Sequence, residues 1–184
     1  MKILSMSNTE YEITIIMLPK LIITDVDGVL TNGGMYYDQY GNEWKQFNTY
    51  DSFGILLCKE ANILTGVITG EDTEIVKRRM SKLKIDYLFQ GVSDKLSCAE
   101  NLCNEIDISL NEVAYIGDDV GDYHLLRAVG FSGAPNNASE YIKKIVSYIT
   151  KKNGGSGAFR EFVEYIFHTN GIYDNIFEKI LKSR

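Results

Sequence analysis

The stretch LIITDVDGVL, Leu21–Leu30, decides how this chain reads. Leu21, Ile22 and Ile23 form a short apolar run rich in β-branched residues, the pattern of a buried strand in a parallel sheet. Asp25 and Asp27 follow where that strand should end, and Gly28 lets the chain turn. In open α/β sheets ligands bind beyond the carboxyl ends of the strands, so the two acids stand where chemistry is commonly done. Asp and Gly are also ordinary turn residues, so the plainer alternative for this segment alone is a strand followed by an Asx-type turn.

Outward from this stretch the pattern repeats. Ile63–Ile68 is a second apolar run, ending in Thr69-Gly70-Glu71. Tyr87–Phe89 reads as a short strand, followed by a helix over Ser93–Glu105 with Lys95 in its first turn. A lysine there opposes the helix dipole and suits an anion site better than helix stability. Val113–Ile116 is a further strand, running into Gly117-Asp118-Asp119-Val120-Gly121-Asp122, and Phe131–Ala134 is a last short one. Helices are expected over Tyr50–Ala61, from Asp72 to Leu83, around Leu125–Val129, over Ala138–Lys144 and Ala158–Phe167, and once more after Gly171. Strands alternating with helices predict an α/β fold with a doubly wound, mainly parallel sheet.

Two segments depart from that alternation. GGMYYDQYGNEWKQF, residues 33–47, reads as a projecting β-hairpin over about 34–47. Its aromatics, Tyr36, Tyr37, Tyr40, Trp44 and Phe47, either fold back on the domain or mark an interface, and a patch of this size favours the interface. Asn153-Gly154-Gly155-Ser156-Gly157 reads as a flexible joint.

The 184 residues, 45% hydrophobic and 24% charged, fit one globular domain. Residues 1–16 read as an extension, 17–167 as the domain and 168–184 as a helical tail. A net charge of -6 argues against a nucleic-acid partner. No run is apolar enough for a membrane span or a signal peptide. Cys58, Cys98 and Cys103 lack metal-ligand spacing and read as packing residues of a cytoplasmic protein.

Parallel strands bring their carboxyl ends to one edge, so Asp25, Asp27, Thr69, Lys95, Asp118, Asp119 and Asp122 should converge. Five carboxylates in one place repel one another unless a cation sits among them. Oxygen ligands without a His or Cys cluster suit Mg²⁺, which keeps several waters and shares a phosphate with the protein. Lys95 and the Thr69 hydroxyl beside that cation would complete a pocket for a phosphate dianion.

Asp-x-Asp-Gly-Val, Thr-Gly, a lysine and Gly-Asp-Asp-x-x-Asp, in this order and each after the right element, resemble the four motifs of the haloacid dehalogenase superfamily of phosphotransferases. The resemblance implies that Asp25 attacks phosphorus to form an aspartyl-phosphate. Asp27 would be general acid and then general base, and its carbonyl would join Asp25 and Asp118 in holding Mg²⁺. Thr69, Gly70 and Lys95 would bind the phosphoryl group, while Asp119 and Asp122 support the site, orienting Lys95. Thr31–Leu64 and Glu71–Ser93 leave no room for a cap domain, so the hairpin and the tail Gly154–Glu161 could roof a neighbour's site. That arrangement resembles the capless, tetrameric 3-deoxy-manno-octulosonate 8-phosphate phosphatases.

Those enzymes typically carry arginine where this chain has Glu71. Glu71 with Lys82, in ITGEDTEIVKRRMSKLKIDYLFQG over 68–91, is similar to the 2-keto-3-deoxynononate 9-phosphate phosphatases of sialic-acid-type metabolism. Glu71 would then accept bonds from sugar hydroxyls, and Lys82 or Arg79 would pair the sugar-acid carboxylate; Arg160, after the glycines, is a further substrate-binding candidate or else covers its own helix surface. A solvated helix face with Glu–Lys pairing accounts for the same residues structurally. The expected activity is therefore a Mg²⁺-dependent phosphatase of the nine-carbon sugar acid phosphate. The eight-carbon ester is the nearest alternative, and a catalytically silent oligomeric module the other.

Overall fold

The computed structural model describes residues 17–183. The expected extension over 1–16 lies outside them. Six parallel strands form one sheet in the order β5-β4-β1-β6-β7-β8: β1 Leu21–Thr24, β4 Leu64–Ile68, β5 Tyr87–Phe89, β6 Val113–Ile116, β7 Phe131–Ala134 and β8 Tyr148–Ile149. Between β1 and β4 in sequence come β2 Tyr36–Tyr37 and β3 Glu43–Trp44, an antiparallel pair. The helices are α1 Asp51–Glu60, α2 Glu74–Leu83, α3 Lys95–Glu105, α4 Tyr123–Ala128, α5 Glu140–Lys143, α6 Ala158–Thr169 and α7 Tyr173–Lys182. The α/β, doubly wound reading holds, with a hairpin and, among the described residues, no cap domain.

The period of two in the central strands builds a core on each face of the sheet. Leu21, Ile23, Val113 and Tyr115 face α3, α4 and α5, while Ile22, Ala114 and Ile116 face α1, α2, α6 and α7. The second face is dominated by α6, whose Ala158, Phe159, Phe162, Val163, Ile166 and Phe167 are all fully buried. Burial of each large apolar side chain contributes about 1.5–3 kcal/mol, so α6 is a main source of stability. Gly133 of β7 makes this possible. A Cβ there would stand 2.4 Å from the Phe162 ring.

That packing corrects the expectation of a hinged tail. Gly154 and Gly155 are wedged against the loop after β1: a Cβ on Gly154 would lie 1.7 Å from the Gly28 carbonyl oxygen. The Gly155 N–H donates to the Val29 carbonyl at 2.9 Å. These glycines serve close backbone approach, and Gly154–Glu161 covers its own domain. Ile176 and Ile180 of α7 join the same core. Among the described residues no helix is long and apolar enough to cross a membrane.

From β1 the chain winds one way to β4 and β5, and from β6 the other way to β7 and β8. The switch point lies between β1 and β6. Thr24 is in register with Ile116, so the residues after each strand meet at one crevice.

Candidate active site

Asp25 leaves β1 with its N–H bonded to the Ile116 carbonyl at 3.0 Å, and Asp118 stands two residues beyond β6. Gly28 (φ +89°) is what lets them meet: a Cβ there would fall 2.0 Å from Asp118 Oδ2. Gly117 likewise leaves space for the Asp122 carboxyl group, which a Cβ would meet at 2.5 Å. Carboxylate oxygens of Asp25, Asp118 and Asp122 lie within 4.8 Å of one another.

The three acids do different things. Asp122 is saturated. Its Oδ1 accepts from Lys95 and from the buried Tyr115 hydroxyl, and its Oδ2 from the N–H groups of Asp118 (2.8 Å) and Asp119 (3.1 Å). Asp118 Oδ1 is buried with no protein partner. Asp25 meets the Lys95 ammonium at 2.8 Å. Asp122 therefore organises the site, and Asp25 and Asp118 keep oxygens to offer.

Electrostatics say the same. Burial, with Asp122 adding to it and Lys95 opposing, raises the Asp25 carboxyl to about 7. Burial and the Asp25, Asp122 and Asp119 charges raise Asp118 to about 8. Burial disfavours the Lys95 charge, but Asp25 and Asp122 outweigh it and hold that pKa above its ordinary value. Two carboxyls reluctant to ionise together, one with an orphaned oxygen, fit a hard cation with oxygen ligands. Asp25 and Asp118 are the carboxylates of that cluster left free to face such a cation, while the Asp27 carbonyl expected to join them is a ligand by resemblance alone.

A cleft of about 250 Å³ opens on this cluster, lined by Asp25, Asp27, Thr69, Gly70, Glu71 and Lys95 with Met35 of the hairpin segment. The dipole cost of Lys95 in the first turn of α3 is offset by Asp94, whose side chain accepts from the Ser97 N–H at the helix start. Asp119 does not touch Lys95, as the sequence reading had it. It is exposed and accepts from the Tyr141 hydroxyl.

Arg79, Lys82 and Arg160 are not brought to the cleft. Arg79 donates to the Asn48 carbonyl at 3.1 Å, its guanidinium 5.8 Å from the Phe47 ring centroid. Lys82 is exposed on the last turn of α2, roughly 12 Å along the axis from the first residue of that helix. Arg160 pairs with Glu164 at 2.7 Å and borders a separate cavity of about 680 Å³ with Tyr50, Lys152 and His168, which contains none of the site acids.

Three contributors escaped the sequence reading. Tyr115 supports Asp122, and the Thr31 hydroxyl lies 3.3 Å from Asp27 Oδ1. Lys45, on the hairpin, reaches Asp27 Oδ2 at 2.6 Å with its side chain wholly buried. Its position one residue after the exposed Trp44 is the signal for it, because alternation turns it inward.

A switch-point cleft with an acid pair and a lysine defines a class, the hydrolases of the haloacid dehalogenase type, and residues 77–162 match the family described as haloacid dehalogenase-like hydrolase. The chain is 38% identical over 152 residues to the 3-deoxy-D-manno-octulosonate 8-phosphate phosphatase of Haemophilus influenzae, covering 83% of this chain and 84% of that one. A probable YrbI-family phosphatase of Pseudomonas syringae superposes with TM-score 0.86 at 40% identity, covering 89% and 93%. The octulosonate phosphate phosphatase of Moraxella catarrhalis, solved with magnesium, phosphate and KDO, gives 0.85 at 36% identity, covering 88% and 93%. The chain belongs to the haloacid dehalogenase superfamily, in the branch that holds the 3-deoxy-D-manno-octulosonate 8-phosphate phosphatases. It is a phosphoric monoester hydrolase with Mg²⁺ as cofactor. The nine-carbon specificity expected from the sequence finds no support in these relatives, of which the Haemophilus and Moraxella proteins carry the eight-carbon name.

Proposed function

We propose that the protein hydrolyses a 2-keto-3-deoxy sugar acid phosphate through an aspartyl-phosphate on Asp25, with 3-deoxy-manno-octulosonate 8-phosphate as the substrate best supported. The observation that carries the reading is the division of labour at the switch point: Asp25 facing the cleft beside Lys95, and Asp118 with an oxygen to spare. An Asp25 oxygen attacks phosphorus in line as the ester P–O bond breaks, and Asp27 gives its proton to the departing sugar alkoxide. Water then attacks the phosphorus of the acyl phosphate, Asp27 takes its proton, and the bond to Asp25 breaks to release inorganic phosphate. Thr69, Gly70 and Lys95 bind the equatorial oxygens, where negative charge gathers. Mg²⁺ supplies charge neutralisation that lets two anions, nucleophile and phosphate, approach.

A second substrate reading rests on Glu71. It lines the cleft as the nine-carbon reading requires, whereas Lys82 stays away from it. The test is kcat/KM for the eight- and nine-carbon esters side by side, in wild type and Glu71→Arg. Preference for the octulosonate ester is the expected result. Preference for the nononate ester, reversed in Glu71→Arg, assigns the second reading. Specificity that does not move in the variant removes Glu71 from the selecting residues.

The same reading takes the protein as a homotetramer in the cytoplasm. Its supports are the unroofed cleft, the exposed hairpin aromatics and the free thiols of Cys58, Cys98 and Cys103.

A further inference from the structure

Lys45 is the outlier among the described lysines. It lies on an otherwise solvent-facing hairpin, next to Trp44, yet its own side chain has no exposed surface. Lysine is almost never fully buried unless paired, because taking an ammonium from water costs several kcal/mol. Its close partner is Asp27 Oδ2 at 2.6 Å; Glu43 Oε1 follows at 3.7 Å. For hairpin stability alone an apolar side chain of the same length would serve as well or better. Lys45 is also absent from the cleft lining, which contains Asp27 itself.

The remaining contact of the Asp27 carboxyl group is weak. Thr31 Oγ1 stands 3.3 Å from Oδ1 and shares its hydroxyl with the Val26 carbonyl at 3.4 Å. The orientation of this carboxyl group therefore depends on the short bond to Lys45. We propose that Lys45 is a positioning residue: it holds Asp27 Oδ2 from inside the domain so that the carboxyl group meets the leaving oxygen in the cleft. The proposal rests on the reading of Asp27 as general acid, and makes the hairpin part of the catalytic machinery.

Leaving-group dependence separates this role from simple anchoring. Departure of a sugar alkoxide needs the proton from Asp27; departure of p-nitrophenolate does not. Both reactions share the hairpin, the nucleophile and the phosphate site. kcat/KM stops at the first irreversible step, so it leaves out the later hydrolysis that both esters have in common. In Lys45→Met the octulosonate ester should lose about 10²-fold, the range general acid catalysis supplies, and at least tenfold more than p-nitrophenyl phosphate. Lys45→Arg should recover most of the difference. If Lys45→Met does not fold, the same comparison in Lys45→Gln decides. Equal losses on the two esters, or none on either, overturn the proposal. Asp25-dependent hydrolysis of both esters by the wild type is measured alongside. Its absence would sink the phosphatase reading, a result distinct from equal losses in an active enzyme.

Discussion

Asp25 and Asp118 are held in a state that a cation should relieve. Their folded pKa values, about 7 and about 8, lie above the ordinary 3.8, so the folded protein binds more protons than the unfolded chain between these limits. Stability without a divalent ion must therefore fall as pH rises from about 4 towards 8. Mg²⁺ favours the ionised pair and works against that loss. Its stabilising effect should thus be larger at pH 8 than at pH 6, roughly 5 °C or more in Tm at pH 8 when Mg²⁺ is near 100 Kd. Calorimetry at the two pH values, with and without Mg²⁺, checks this; an equal gain at both, or a full gain in Asp118→Asn, contradicts it. These acids were legible in the sequence because strand ends converge by topology alone. Lys45 was not read, because alternation after Trp44 turns it inward but does not say which group it meets there. Arg79 and Lys82 came from the resemblance around Glu71, and in this chain they lie outside the cleft lining that contains Glu71.

At the scale of elements, short apolar runs located β1, β4, β5, β6 and β7, whereas β8, two residues long, left no pattern to read. The glycine-rich segment before α6 shows how composition misleads. Gly154 and Gly155 look like a joint, yet they are small because the Gly28–Asn32 backbone passes against them. In the hairpin the reading was better. Asp38 builds the turn by accepting from the Tyr40 and Asn42 N–H groups, and Gly41 supplies the positive φ. Tyr36, Tyr37, Tyr40 and Trp44 are left half or more exposed, while Phe47 folds back towards the core. If those four rings form a subunit contact, Trp44→Ser with Tyr37→Ser should shift the protein towards smaller species in light scattering. A wild-type monomer at micromolar concentration with full activity would contradict the tetramer.

At the scale of the molecule, the described residues form a capless α/β domain whose chemistry depends on one topological fact, the reversal of strand order between β1 and β6. That reversal opens the crevice, the glycines at 28 and 117 let the acids close on it, and α6 stabilises the sheet from behind. The architecture was legible from alternation of elements; the substrate was not, since of the expected sugar-contacting residues Glu71, Arg79, Lys82 and Arg160 the cleft lining contains Glu71 alone. The central claim is that Asp25 is the phosphoryl acceptor. Its most direct test is phosphate release from 3-deoxy-manno-octulosonate 8-phosphate in Mg²⁺ by the wild type and by Asp25→Asn. The account predicts that the wild type turns over and the variant, folded to the same Tm within a few degrees, loses more than about 10³-fold. A variant that keeps its rate within tenfold of the wild type would show that the acceptor is not Asp25.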